Sequence, residues 1–243
     1  MDRARLLQIT NATWPADHRH QDGPWLLRQS PGGGKRVTAA STDKAVSDAD
    51  IKHAAERMAD FGQTPIFSVL PGDETDTKLA KLGYVATDET WGYHCPIDLL
   101  AAQPLKPVTA FPIWPPLQLA RDIWAEGGIG PDRLAVMERA ECDKTTILGR
   151  VNDRAGGVAY AALHDGCTMV HALEILATQR RHGLARSLMI AAAQWGAARG
   201  ATQMAVLVTK ANAPANALYT RLGMTPLQGY HYRVKHQTEG QRP

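Results

Sequence analysis

Cysteine is scarce. Cys95, Cys142 and Cys167 are three scattered thiols in 243 residues, too few for a disulfide framework, and the expected setting is a reducing compartment, the cytoplasm. No Cys-x-x-Cys occurs and no His/Cys pair stands at zinc spacing, so no metal is expected. No apolar run approaches the roughly 20 residues of a membrane-crossing helix, and no membrane partner is expected. The opening MDRARLLQITNATWPADHRH has basic residues but lacks the sustained apolar stretch of a signal peptide. Charge of one sign is missing too. Lys and Arg number 27 against 24 Asp and Glu, a net +3 with pI about 8.8, too little to argue for nucleic acid as a ligand. What is present is ordinary for a folded protein: 44% hydrophobic and 21% charged residues support a packed core and exclude general disorder. The length allows one large domain or two small ones.

Proline is concentrated mid-chain. The segment QPLKPVTAFPIWPP, residues 103–116, holds five prolines. Proline donates no backbone hydrogen bond and restricts its predecessor, so this stretch is expected to be extended and to separate folded units. It predicts a boundary near Pro104, with domains 1–104 and 105–243. In the second, apolar periodicity predicts helices over 117–126 and 131–140 and strands over 144–150, 158–163 and 168–176. A turn over 152–157 and another at His164-Asp165-Gly166 join these strands. A helix over 184–198, a strand over 204–209, a helix over 214–222 and a strand over 230–235 follow. Leu184, Leu188, Ala191 and Trp195 share one helix face. In the first domain, strands over 25–27 and 36–40 flank the loop Ser30-Pro31-Gly32-Gly33-Gly34. A helix over 49–60, a strand over 66–70, a helix over 77–82 and one or two strands over 84–95 complete it. The class is mixed α/β.

The two parts share an order of features. Helix, Phe61-Gly62-Gln63 and strand 66–70 parallel helix, Arg199-Gly200-Ala201 and strand 204–209. The next helices end Lys81-Leu82-Gly83 and Arg221-Leu222-Gly223, and Gly92-Tyr93-His94 matches Gly229-Tyr230-His231. The repeat predicts a duplicated domain.

Two segments carry the chemistry. Arg180-Arg181-His182-Gly183-Leu184-Ala185 follows a strand and opens a helix. Helix N-termini present unpaired N–H groups and favour negative charge, Gly183 permits close backbone approach, and the arginines add charged donors. A pyrophosphate fits this segment; so does a plain basic helix cap. The second segment is Asn212-Ala213-Pro214-Ala215-Asn216-Ala217-Leu218-Tyr219. Asn212 could hold a loop or a ligand amide, or simply cap the helix. A Tyr219 phenol stays protonated at neutral pH and can donate a proton, or serve as a core-edge ring.

In this order, Arg180-x-x-Gly183-x-Ala185 and then Asn212-x-x-Ala215-x-x-Leu218-Tyr219-x-x-Leu222-Gly223-Met224 resemble the GNAT-type N-acetyltransferase superfamily over about residues 150–235. The resemblance implies a mixed, splayed central sheet flanked by helices, in two tandem copies, and acetyl-CoA as co-substrate. It implies that the backbone of Leu173 and Ile175 pairs with the pantetheine arm. With Arg180, the N–H groups of Arg181, His182, Gly183, Leu184, Ala185 and Arg186 would hold the pyrophosphate. Asn212 would touch the pantetheine or fix its loop, and Tyr219 would protonate the departing thiolate. The implied reaction is direct attack of a primary amine, from a small molecule or a peptide, on the thioester. A backbone N–H near Ile175 would stabilise the oxyanion. The protein would act as a monomer or homodimer, without nucleic acid. The alternative is a non-catalytic acyl-CoA-binding or regulatory protein; a third reading is a phosphate-binding α/β domain unrelated to CoA.

Met224 stands where the superfamily usually has Phe, and Met169 where some members have a glutamate base. Glu174, His171 and His164 are the candidate bases, with Glu174 taken as the catalytic one. Strand alternation puts His171 and Glu174 on opposite faces. The first domain looks like a degraded copy. Thr38-Ala39-Ala40-Ser41-Thr42-Asp43-Lys44-Ala45 has no glycine where the phosphate loop belongs, and Leu79 stands at the place of Tyr219. It is expected to bind no CoA, to cover a sheet edge and to wall the acceptor pocket. Gly32-Gly33-Gly34 lacks P-loop spacing and predicts a hairpin tip. Trp14, Trp25, Trp91, Trp114 and Trp124 are candidates for core packing or for an acceptor cleft.

Overall fold

A computed structural model describes residues 1–235; residues 236–243 of the expected second domain lie outside the described residues. The elements run α1 (Arg3–Thr13), β1 (His18–Asp22), β2 (Trp25–Gln29), α2 (Asp48–Asp60), β3 (Ile66–Val69), α3 (Glu74–Lys81), β4 (Val85–Thr87) and β5 (Thr90–Pro96). Then come α4 (Asp98–Ala101), β6 (Ala110–Ile113), α5 (Gln118–Glu126), α6 (Pro131–Arg139), β7 (Lys144–Val151), β8 (Arg154–His164) and β9 (Cys167–Ile175). The chain closes with α7 (Leu184–Ala197), β10 (Gln203–Thr209), α8 (Ala213–Arg221), β11 (Thr225–Gln228) and β12 (His231–Val234). Most predicted elements lie within a few residues of their expected places. Helices α1 and α4 and strands β1, β6 and β11 are absent from the sequence-based expectation.

Packing divides the chain into two units, and not at Pro104. One comprises Met1–Pro15, Trp91–Val208 and Asn212–Gln228; the other comprises Ala16–Thr90, Thr209–Ala211 and the described residues from Gly229 to Lys235. The proline-rich segment is no linker, because its Ala110–Ile113 forms β6 and pairs antiparallel with β7. The two strands of the sequence repeat explain the crossed boundaries. In the larger unit a seven-stranded sheet runs β11-β5-β10-β9-β8-β7-β6, so β5 joins a sheet otherwise drawn from the second half of the sequence. In the smaller unit β12 stands between β3 and β4. Each repeated strand therefore completes the sheet of the other half.

The smaller unit packs Trp25, Phe67 and Tyr84 together, with ring centroids 4.9 and 5.2 Å apart. Its expected strand over 36–40 is instead a short 3₁₀ turn, Lys35–Val37, followed by single bridges from Ala40 to Phe67 and from Ser41 to Leu26. Gly34 at φ +88° turns the chain into that 3₁₀ segment. The glycine loop is thus not a hairpin tip; the hairpin is β1–β2, turned at Gly23.

In the larger unit α7 buries Leu184, Leu188, Ala191 and Trp195, the predicted face, together with Met189, Ile190, Ala192 and Ala193. It presses on the sheet where β8 is thinned: a Cβ on Gly157 would lie 2.4 Å from Ile175 Cδ1 and 3.2 Å from Leu184 Cδ2. The sheet's opposite face receives α1 and α5. Trp14, Trp25 and Trp124 are buried in their own units, which makes them core residues.

Candidate active site

Strand β9 has different neighbours along its length. Its parallel ladder with β10 runs from Cys167/Gln203 to Val170/Val206 and stops there, while pairing with β8 continues to Ile175. Residues 171–175, including Leu173 and Ile175, thus lie beyond the last β10 pair, where the sheet opens. Between the pairs Val158/Glu174 and Tyr160/His171, β9 carries one residue more than β8, a bulge with Ala172 at φ +49°. Trp124 Nε1 donates to the Ala172 carbonyl at 2.8 Å and fixes it. The bulge reverses the expectation for two candidate bases. Partners of Tyr160 and Val158 face the same way, so His171 and Glu174 share one face of the sheet.

Past Ile175 the chain makes a 3₁₀ turn, Ala177–Gln179. It then passes through Arg180 in extended conformation, Arg181 at φ +68° and Gly183 at φ +79°. Gly183 is the N-cap of α7. No side chain caps this helix and its first turn holds no acid, so among the described residues its leading N–H groups have no internal acceptor. A Cβ on Gly183 would meet no atom within 4 Å. Arg181, His182 and Arg186 are exposed around it. Arg180 turns back to the strand end: Nε donates to the Ile175 carbonyl at 3.0 Å, and Nη2 to Glu174 Oε1 at 3.4 Å. Open space, unfilled donors and the exposed cations Arg181 and Arg186 are the chemistry a pyrophosphate requires, so the residues present fit the pyrophosphate of CoA.

At the start of α8, Asn212 Oδ1 accepts from the Ala215 N–H at 3.2 Å, a helix cap, and its carbonyl accepts from Asn216 Nδ2 at 2.7 Å. Tyr93 Oη donates to Asn216 Oδ1 at 3.1 Å, and the Tyr93 ring stands 5.5 Å from the buried ring of Tyr219. Burial and the neighbouring Tyr93 push the Tyr219 phenol up to about 12, so it remains a proton donor throughout the neutral range. The Tyr219 hydroxyl has no hydrogen-bond partner among the described residues. Tyr93 and Asn216 escaped the sequence reading as site residues, although the repeated Gly-Tyr-His triplet pointed at Tyr93.

The other candidate bases separate by place. His171 is buried, with Nε2 2.9 Å from Thr13 Oγ1 and its ring 5.0 Å from Trp14. It is a core histidine. His164 pairs with Cys167 at the far end of β9 and is remote from the opening. Met169 is fully buried. Glu174 alone is at the strand end, 23% exposed, bound to Arg180 and fitted under the last turn of α5. There a Cβ on Gly127 would lie 2.6 Å from Glu174 Cγ.

Residues 113–224 match the acetyltransferase (GNAT) family. This stretch belongs to that family. The GNAT segment runs from the end of β6 past α8 and contains Glu174, the loop over 180–186 and Tyr219. Likeness also reaches the smaller unit. An uncharacterized N-acetyltransferase of Bacillus subtilis, YobR, is 22% identical over 96% of this chain and 99% of its own. A GCN5-related N-acetyltransferase from Kribbella flavida shares the fold at TM-score 0.71 and 18% identity, covering 97% of this chain and 96% of that one. A tandem GNAT protein from the clavulanic acid biosynthesis pathway does so at TM-score 0.61 and 14% identity, covering 96% and 89%. The chain thus has a GNAT fold, and its residues 113–224 form a segment of the acetyltransferase family. No helix among the described residues is long and apolar enough to cross a membrane.

Proposed function

We propose that the larger unit transfers an acetyl group from acetyl-CoA to a primary amine, with Tyr219 as general acid. The observation that carries this reading is the convergence of three features. They are the open sheet beyond Val170/Val206, the uncapped acid-free start of α7, and the protonated phenol of Tyr219. Acetyl-CoA would supply the activated acyl group as a thioester. The backbone of Leu173 and Ile175 would line the pantetheine arm, where β10 no longer pairs. The N–H groups over 181–186 would bind the pyrophosphate, with the Arg181 and Arg186 side chains beside them. Asn212 acts through the cap it forms, which fixes the first turn of α8, and Tyr93 with Asn216 braces that turn. Tyr219 would deliver its proton to the leaving sulfur, whose thiol pKa of about 8.5 makes it a better leaving group with a donor alongside.

Glu174 would receive the acceptor's ammonium and take its proton, directly or through water. The carboxylate is at the strand end under the turn after α5, and Arg180 orients it. The smaller unit has no part in cofactor binding in this reading, because α2 closes its own N-terminus. The test is free-thiol release from acetyl-CoA over a panel of amines, amino acids and peptides, with wild type and Tyr219→Phe. Turnover by wild type and its loss in the variant are expected; equal rates would remove Tyr219 from the acid role. CoA binding without thiol release for any amine would favour the non-catalytic alternative.

A further inference from the structure

Beside the start of α7, on the side of the β7–β8 hairpin, lies a cleft of about 650 Å³. Its walls are residues 104–109, the hairpin turn 150–153, and His182, Gly183, Leu184, Arg186 and Ser187 of the loop and first turn. It shares His182, Gly183, Leu184 and Arg186 with the phosphate loop described above, yet none of its other walls has a role in that site.

The cleft has a definite chemical character. Lys106, Arg150 and Arg186 bring three permanent cations to it, against one carboxylate, Asp153. Asp153 binds Arg150 at 2.8 Å, but its side chain is 94% exposed, so solvent screens that pair strongly. Arg186 donates to the neutral Gln103 Oε1 and keeps its full charge. Lys106 is exposed and makes no ion pair among the described residues. Leu105, Val108, Val151 and Leu184 supply apolar wall between these charges. A space of this size with an apolar wall and clustered cations suits a flat ring carrying a phosphate, and it begins at the residues that would hold the pyrophosphate.

We propose that this cleft receives the 3′-phosphoadenosine end of coenzyme A, with Lys106, Arg150 and Arg186 contacting the 3′-phosphate, so that the protein distinguishes CoA from 3′-dephospho-CoA. The inference rests on the CoA reading of the preceding section. Hydrogen bonds from charged donors to a phosphate are strong, so a preference of about tenfold or more for CoA is the expected effect.

Calorimetric titration of the full chain with CoA and with 3′-dephospho-CoA tests it, on wild type and on the double variant Lys106→Gln/Arg150→Gln. Wild type should bind CoA at least about tenfold tighter than dephospho-CoA. The double variant should lose that preference while holding dephospho-CoA as wild type does, which also shows that it is folded. Equal affinity of wild type for the two nucleotides, or a variant that weakens both alike, overturns the proposal and leaves CoA binding intact. Failure of wild type to bind either one overturns the CoA reading itself.

Discussion

Helices α2 and α7 occupy corresponding places in the two halves of the sequence repeat, and their first turns are built oppositely. At α2, Ser47 accepts from the Asp50 N–H while the Asp50 carboxylate accepts from the Ser47 N–H, a complete capping box, with Asp48 adding a second acid. At α7 the cap is a left-handed glycine, no acid is present, and the position corresponding to Asp50 is Arg186. One helix satisfies its own dipole; the other leaves its first turn uncapped, where the proposed function puts the pyrophosphate. The next helices diverge in the same sense. Leu79 of α3 is fully buried with no polar atom, whereas Tyr219 of α8 carries a protonated hydroxyl. Asp76 of α3 is a buried carboxylate locked to His231 and Arg233 of β12, whereas its counterpart Asn216 makes a neutral hydrogen bond to Tyr93 of β5. In the smaller unit the helix ends and buried polar positions are satisfied from within.

The difference can be broken at several points. Removing the phenol should do most: Tyr219→Phe is expected to lower kcat by roughly 100-fold or more at unchanged CoA affinity, read by thiol release and calorimetry. Breaking the internal lock of the smaller unit comes next. Asp76→Asn leaves Arg233 and His231 without their carboxylate and should cost about 3 kcal/mol in chemical denaturation, with CoA binding intact. The lock also sets a pH dependence. Burial alone would raise the Asp76 pKa, but Arg233, the Gly72 N–H and His231 hold it below the usual carboxylate value. Its stabilisation is therefore present at neutral pH. It should fade as pH falls below about 4 and through the lower folded value, an acid-side loss that Asp76→Asn abolishes.

Arg186→Asp gives α7 the acid that α2 has. Folding stability should rise by about 0.3–1 kcal/mol, less if solvent screens the exposed site, while CoA affinity falls by roughly 100-fold. Binding and stability thus move in opposite directions, which nonspecific damage would not produce. The smallest effect is expected for Glu174→Gln, because water can take the proton in its place: kcat/KM for the amine should fall by up to about tenfold, with CoA affinity unaltered.

Much of this was legible in the sequence. The loop from Arg180 to Arg186 and the helix face Leu184, Leu188, Ala191 and Trp195 rest on local pattern, and local pattern survives into structure. The capping role of Asn212 was one of two open readings. What the sequence reading missed is non-local. Strand exchange made β5 and β12 foreign to their own halves, and no periodicity reports on which sheet a strand joins. Pro112 and its neighbours read as linker because proline signals extended chain, yet an edge strand is extended chain too. The bulge at Ala172 inverted the facing of Glu174, since a single inserted residue shifts the parity of everything after it. The cleft beside α7 gathers Lys106, Arg150 and Arg186 from three distant segments, and spacing along the chain carries no trace of it.

In the proposed function the α7 end serves the cofactor and the α2 end serves the fold. Calorimetric titration of the intact chain with acetyl-CoA, on wild type, Ser47→Ala and Arg186→Asp, tests it most directly. The account predicts a single binding site per chain, untouched by Ser47→Ala even as that variant loses about 1 kcal/mol of stability, and severely weakened by Arg186→Asp. Two sites per chain, or a site lost with Ser47→Ala and retained with Arg186→Asp, would contradict it.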